Sequence, residues 1–243
     1  MERLLQLGLG DLKEYDWVKY FTENGANRLS IDFSQETGLS EAEKHLIFPS
    51  ISRFQKGEAS DGRYLLNCVK TYTTQNGDKN YREAMHWFVQ EENWHSVYLK
   101  KFMDYYHVKV CKKSLLDDCF RRLRKLCGLK SEIVVLVTAE MIALVYYSAL
   151  AECTGSPALK SICRQMLHDE LRHVAFQSAT LHKMKIGRLG NLLRILIMEI
   201  TMSVVWLSMK DVFYVGGYSF SKYAAECLGY LHQSIMISKK GKL

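Results

Sequence analysis

The sequence predicts an all-α fold in which long helices pack into a bundle, and three observations support that class. Only two prolines occur in 243 residues, and proline interrupts helices. Apolar residues recur at steps of three and four in several long stretches, the pattern of amphipathic helices. The hydrophobic and charged fractions, 48% and 24%, are those of an ordinary globular protein. We therefore expect long helices instead of a turn-rich β fold.

The predicted helices follow one another with short connections. Residues 1–45 are polar and mixed, and Ser40 followed by Glu43 indicates a helix start by the capping-box pattern. We expect one domain over residues 1–243, with a four-helix bundle at about 50–185 and packing helices at about 190–237. Helices are predicted at about 51–72, 81–107, 112–130, 132–152, 158–185 and 192–209, with a last one ending near 237.

The net charge of +7 comes from basic residues that are mostly scattered along the chain. Two clusters stand out, Arg121–Lys125 and Lys239–Lys242. Clusters of this size are typical of solvated surface, so we expect no nucleic-acid binding. They would also suit an acidic partner, which makes Arg121–Lys125 a candidate docking patch for an acidic carrier protein.

Cysteine usage and hydropathy favour a soluble cytoplasmic protein. The seven cysteines include no C-x-x-C pair, which is typical of free thiols in a reducing compartment. The N-terminal residues lack the apolar core of a secretory signal. The most apolar run, 192–209, is interrupted by Arg194 and Glu199, so we expect a buried helix there and no membrane span.

The second core helix contains two Glu-x-x-His matches that must be separated. Glu83/His86 precedes Glu92/His95 by nine residues, which places the two pairs on opposite helix faces. Polar residues continue the first face, which predicts a surface position for Glu83 and His86. Apolar residues continue the second face, so only Glu92 and His95 are predicted to point into the core.

Other acidic residues also interrupt apolar stripes. Glu170 and His173 form a further Glu-x-x-His pair in the fourth core helix, and residues three apart share a helix face. Glu140 is the only charge between the two ends of the third helix, where an unpaired carboxylate would be costly. Glu58 is in phase with the apolar stripe of the first helix, although a carboxylate at a helix start or on an exposed face explains it as well.

Together these residues form the series Glu, Glu-x-x-His, Glu, Glu-x-x-His along four helices. Four carboxylates and two imidazoles suit two iron or manganese ions. Their negative charges would nearly neutralise two divalent cations, which would allow them to be buried together. The predicted metal ligands are Glu58, Glu92, His95, Glu140, Glu170 and His173. Apolar neighbours could line a substrate pocket, although core packing explains them equally well: Phe54, Phe88, Leu99, Leu144 and Tyr147.

The series and its local sequences resemble the ferritin-like di-iron carboxylate oxidase superfamily. Within it, EENWH and DELRH are similar to the EENxH and DExRH signatures of soluble acyl-carrier-protein desaturases. The resemblance covers roughly residues 50–185. It implies a ferritin-like four-helix bundle in which Glu92 and Glu170 bridge two metals and His95 and His173 each bind one. It also implies that Asp169 orients a ligand histidine.

At three positions this chain differs from the residues that members of this superfamily carry. Desaturases and many hydroxylases of the superfamily carry a hydroxyl or thiol about one turn after the third-helix glutamate, where this chain has Ala143 and Leu144. The di-iron N-oxygenases add a third histidine one turn before the last pair, where this chain has Met166. The usual proton-delivery residue is therefore in doubt, and the N-oxygenase branch is disfavoured.

The resemblance implies a non-haem di-iron oxidase or monooxygenase that uses O2 as co-substrate. Two iron ions, or a manganese–iron pair, would serve to hydroxylate, desaturate or N-oxygenate a small organic or carrier-bound substrate. A separate ferredoxin or reductase would supply electrons, because the chain has no flavin or iron–sulfur motif. A homodimer is left open. The alternatives are a ferroxidase or iron-storage protein and a metal-free helical interaction protein.

Overall fold

The chain folds into an all-α bundle with additional helices at both ends, which confirms the predicted fold class. The structure, a computed structural model, describes residues 4–59, 62–111 and 128–242. Within these ranges the only β pairing is the isolated bridge between Asp11 and Lys242. A short 3-10 turn, Leu4–Gln6, precedes the helices α1 Trp17–Ala26, α2 Glu41–Glu58, α3 Arg63–Asn76, α4 Lys79–Tyr105, α5 Leu129–Glu152, α6 Pro157–Lys183, α7 Arg188–Val215 and α8 Phe220–Lys240.

The centre of the bundle is α5, which packs most extensively against α6. Residues on every side of α5 are buried, so this helix is apolar nearly all round. Four of the described helices pack on α4, namely α1, α2, α3 and α6. The other side of α5 is covered by α7 and α8. The sharp turn between α5 and α6 ends at Ser156, whose hydroxyl accepts a hydrogen bond from the Leu159 N–H, and Pro157 occupies the first helical position.

The helix predicted at about 51–72 is in fact two helices, α2 and α3. The expected capping box is present, but it starts α2 at Glu41, ten residues before the predicted start. The break occurs before Gly62, which has φ +61° and thus the left-handed conformation that glycine tolerates. A Cβ there would lie 2.5 Å from Cγ1 of Val89, so glycine also allows α3 to begin close against α4. Glu58 is consequently the last residue of α2.

The other core helices begin and end within three residues of their predicted positions. Asp78 caps α4 by accepting a hydrogen bond from the Tyr81 N–H. The connecting helix predicted at 112–130 falls largely outside the described residues, and so does the candidate docking patch Arg121–Lys125. Four of the described cysteines are free thiols: Cys68, Cys153, Cys163 and Cys227.

Two of the described helices are long and apolar enough to cross a membrane by length and composition, α5 and α7. In α5 the most apolar window is 83% buried, as in the core helix of a soluble protein. In α7 the corresponding window is only 39% buried. The helix is longer than the predicted 192–209 and bends at Met209, where the backbone leaves helical geometry.

Candidate metal centre

The two inward-facing Glu-x-x-His pairs meet between α4 and α6. Glu92 and His95 lie on α4, and Glu170 and His173 lie on α6. One ligand atom from each of these four side chains lies within 4.8 Å of the other three. Three of the four residues are almost fully buried, and Glu92 is partly buried. The cluster could therefore hold a metal ion inside the bundle.

Each imidazole turns its Nδ1 atom towards the glutamates. His173 Nδ1 lies 2.7 Å from Glu92 Oε1 and 3.5 Å from Glu170 Oε2. His95 Nδ1 lies 3.4 Å from Glu170 Oε1. Each histidine thus approaches most closely the glutamate of the opposite helix. The two rings are 5.3 Å apart between centroids, so both Nδ1 atoms and the carboxylates surround one small volume.

The opposite ring nitrogens bind a second pair of carboxylates. His173 Nε2 lies 2.8 Å from Glu91 Oε1, and His95 Nε2 lies 3.1 Å from Asp169 Oδ2. Asp169 thus contacts a motif histidine, and its expected role in orienting a metal ligand stays a prediction. Asn24 of α1 donates one hydrogen bond to Glu91, at 2.7 Å, and another to Asp169, at 2.9 Å. The outer carboxylates are therefore tied to each other as well as to the two histidines.

The sequence patterns did not identify Glu91 or Asn24 as part of the centre. An acidic residue precedes the glutamate in both pairs, Glu91–Glu92 and Asp169–Glu170, and this shared feature could have identified Glu91. Asn24 carries no such signal, because it lies 67 residues from Glu91 and 145 residues from Asp169 in the chain.

Glu140 and Glu58 stand next to the cluster but are held by neutral donors. Gln177 of α6 donates a hydrogen bond of 2.6 Å to Glu140 Oε1. Tyr147 of α5 donates a hydrogen bond of 2.9 Å to Glu58 Oε1. Besides burial, the negative charges of Glu92 and Glu170 act on both carboxyl groups and raise their pKa values. The close four-residue group does not include them, so their predicted role as ligands stays a prediction.

The carboxyl groups titrate unusually because they are buried together. Burial, with the charges of Glu92 and Glu170, raises the pKa of Glu58 to about 8. Burial also raises the pKa of Glu140 well above its usual range, although the charge of His173 opposes that rise. Burial alone would raise the pKa of Glu170, but the adjacent imidazoles of His173 and His95 lower it.

Both imidazoles attract an additional proton in the absence of a cation. Burial alone would lower the pKa of His95, yet the hydrogen-bonded Asp169 and the nearby Glu170 carboxylate raise it well above its usual value. Burial acts likewise on His173, whose pKa is raised by the charge of Glu92 and by the nearby carboxylate of Glu170. The centre is thus rich in negative charge that requires positive charge to balance it.

Several buried atoms at the centre lack a well-formed hydrogen bond. They are His95 Nδ1, His173 Nδ1, Glu92 Oε1, Glu140 Oε2 and Glu170 Oε2. Buried polar atoms without partners are rare, because they lose their hydrogen bonds to water without replacement. All five are nitrogen or oxygen atoms that can coordinate iron or manganese, and four of them belong to the close cluster. The residues present therefore fit a bound metal.

The expected pocket residues lie in the core around this centre. Phe88 packs edge-on against the His173 ring, with 4.7 Å between centroids. Phe54, which is partly buried, stacks on Tyr146, and Leu99 and Leu144 are buried. These contacts are those of a packed core, and the proposed use of these residues as a substrate pocket stays a prediction. Glu83 and His86 are exposed, as their position on the polar face predicted.

A surface pocket between α1 and α4 reaches the outer carboxylates. Asn24, Glu91 and Asp169 line its floor, and Arg28 and Trp94 are among its other lining residues. The Arg28 guanidinium lies over the Trp94 ring, 4.1 Å from its centroid. Glu91 and Asp169 therefore contact the motif histidines and also line this pocket.

No protein-family model, curated protein or solved structure matches this chain.

Proposed function

We propose that this chain is an O2-dependent di-iron oxidase with a ferritin-like four-helix centre. The observation that supports this best is the convergence of two buried Nδ1 atoms with the buried Glu170 and the partly buried Glu92, while both Nε2 atoms are engaged elsewhere. Iron is the first choice and a manganese–iron pair the second, because carboxylate and imidazole donors suit both. The six residues proposed to hold the metals are Glu58, Glu92, His95, Glu140, Glu170 and His173.

Bound ferrous ions would supply the electrons that reduce O2 and the oxidising power to attack a C–H or N–H bond. The contribution of Glu91 and Asp169 is to hold a proton on each Nε2 atom. That tautomer keeps the Nδ1 lone pair directed at the centre, and the outer carboxylate makes the imidazole a stronger ligand. Because Asn24 joins the two outer carboxylates, it would keep both histidines in register.

Glu58 and Glu140 would carry the proton exchange that accompanies loading. Both carboxyl groups have raised pKa values in the metal-free chain. A carboxyl group must lose its proton before it binds a cation, so metal uptake would release protons and strengthen as pH rises. Tyr147 and Gln177 would keep each group near the centre in both states.

The surrounding apolar side chains would exclude water from the reacting centre. Phe88 covers one side of His173, and Leu99 and Leu144 are fully buried nearby. The proposed substrate is a small organic molecule, free or attached to an acidic carrier that docks at Arg121–Lys125. A ferredoxin or a reductase would deliver the electrons for repeated turnover.

Anaerobic loading with ferrous iron followed by a pulse of oxygenated buffer tests this proposal. We expect oxygen consumption in proportion to bound iron, together with a new visible absorption band. The Glu92→Ala/His95→Ala variant should lose both signals, whereas Glu83→Ala/His86→Ala should retain them, because the second pair has the same sequence pattern on an exposed face. An iron-loaded wild-type protein that consumes no oxygen would contradict the proposal. Uptake of hundreds of irons into a very large particle would favour storage instead.

A further inference from the structure

A stripe of large apolar side chains is exposed along the outer face of α7. Its members are Leu189, Leu193, Leu196, Ile200 and Leu207, with exposed fractions of 83%, 51%, 51%, 57% and 75%. The opposite face of the same helix packs on α5 and α8 through Met198, Met202, Val205 and Trp206. The helix is thus anchored by one side and leaves what we call the α7 stripe facing outwards.

The α7 stripe is more than scattered exposed residues. Single exposed apolar side chains are normal on a monomer, whereas a contiguous exposed apolar patch marks an interaction site. With the neighbouring exposed Leu192 and Ile195, the stripe joins seven large apolar side chains along one helix. A partner that covers this row would remove it from water.

The spacing of the α7 stripe indicates that its partner is another helix. The first four members follow at steps of four, three and four, and Leu207 continues the same seven-residue period from Ile200. Apolar residues that alternate three and four steps form the seam along which two helices pack side by side. The first five turns of α7 lie before the bend at Met209, so this seam is straight.

The charges beside the stripe are self-complementary. Arg188 and Glu199 are both exposed and lie eleven residues apart, about three turns, so they occupy the same flank of the helix. If a second α7 packs antiparallel about a two-fold axis between Leu193 and Leu196, Arg188 of each copy faces Glu199 of the other. The same arrangement places Leu189 against Ile200 of the second copy.

We propose that the chain forms a symmetric homodimer in which the α7 stripes of two copies pack antiparallel. A two-fold interface is self-complementary, as this flank requires. A lipid surface is the competing occupant of an exposed apolar helix. Helices that lie on membranes are rich in Lys and Arg on their polar side, whereas the flank of this stripe pairs Arg188 with the acidic Glu199, which favours a second copy. The inference is independent of the metal centre, which lies between α4 and α6.

The molar mass in solution, measured by light scattering coupled to size-exclusion chromatography, tests the proposed dimer. We expect about twice the chain mass of 28.1 kDa for the wild type, and a monomer for Leu193→Gln/Ile200→Gln. Val97→Gln replaces an exposed apolar residue on α4 and should stay dimeric. All of these side chains are exposed or border solvent, so circular dichroism should show unchanged helix content.

Charge reversal tests the antiparallel orientation. Arg188→Glu and Glu199→Arg should each weaken dimerisation roughly tenfold or more, because like charges then face each other twice. The double variant Arg188→Glu/Glu199→Arg should regain most of the affinity. A monomeric wild type, whether or not it binds anionic vesicles, overturns the proposal. So does a dimer that survives Leu193→Gln/Ile200→Gln, or a double variant that regains nothing.

Discussion

Glu91 on α4 lies 2.8 Å from Nε2 of His173 on α6, and Asp169 on α6 lies 3.1 Å from Nε2 of His95 on α4. The acid that precedes each inner glutamate therefore binds the histidine of the opposite helix. This crossed arrangement relates the two halves of the centre by an approximate two-fold symmetry. It also makes the orientation of each imidazole depend on the packing of α4 against α6.

The outer carboxylates should control metal affinity. Glu91→Gln keeps the shape of the side chain but removes the charge that polarises His173, so we expect binding of Mn²⁺ to weaken by about 10- to 100-fold. A competition titration against a chelator measures this change. Glu83→Gln, an exposed change on the same helix, is the matched control and should bind as the wild type does. If the Glu91 variant bound Mn²⁺ with the affinity of the wild type, Glu91 would not contribute to metal binding.

Asn24 should stabilise the metal-free fold through the two carboxylates that it joins. Asn24→Ala removes both hydrogen bonds from largely buried acceptors, so we expect the free energy of unfolding to fall by about 1–3 kcal/mol. Urea denaturation of the metal-free protein measures the loss. Asn27→Ala, an exposed change at the end of the same helix, should cost less than about 0.5 kcal/mol. Similar losses in both variants would show that the link between the carboxylates has no special weight.

Glu140 should contribute to metal binding, although its buried carboxyl group does not stabilise the metal-free fold. Its buried carboxyl group has a raised pKa beside other acidic groups, so Glu140→Gln should leave the metal-free thermal midpoint unchanged or raise it by a few degrees. The same variant should lose bound metal. Differential scanning calorimetry and elemental analysis measure the two effects, with the exposed Glu152→Gln as control. A lower midpoint with unchanged metal content would indicate a purely structural role.

The metal-free protein should lose stability as pH rises from about 5 to beyond 8. Glu58, with its pKa raised to about 8, and both histidines, whose pKa values are also raised, keep protons that the unfolded chain has released. The folded state then binds more protons than the unfolded state, so the free energy of unfolding falls with rising pH from about 5 to beyond 8. Asp169 and Glu170 have lowered pKa values, so stability is also lost when pH falls below about 4.

Bound metal should reverse this loss, because the cation replaces the protons. We expect the gain in thermal midpoint on adding Mn²⁺ to be larger at about pH 8 than at about pH 6. A metal-free midpoint that rises between these two pH values would contradict the assigned protonation. A gain that is equal at both would separate metal binding from these groups.

The phase of the residues within each helix made most of the centre predictable. Glu92/His95 and Glu83/His86 have the same spacing, and only their neighbours distinguish a buried pair from an exposed one. The structure agrees with that distinction, because burial repeats with the helical period in α4 and α6. The pattern could not predict which residues meet between helices, so Asn24 stayed unrecognised.

The break between α2 and α3 illustrates a second limit. Leu65 and Val69 are buried as predicted, because α3 restarts in a position that continues the apolar stripe. Periodicity therefore looked unbroken from one helix to the next. Only the left-handed backbone of Gly62 and its close approach to Val89 require the chain to stop and restart, and both depend on how α3 packs against α4.

Metal content after anaerobic loading is the measurement that tests the central proposal most directly. The protein is incubated with excess ferrous iron, freed of unbound metal by gel filtration, and analysed for metal and protein in the same fractions. We expect about two iron ions per chain, because four carboxylates and two imidazoles match a paired site. Fewer than one ion per chain would contradict a metal centre at Glu92, His95, Glu170 and His173, and a single ion would contradict the pair.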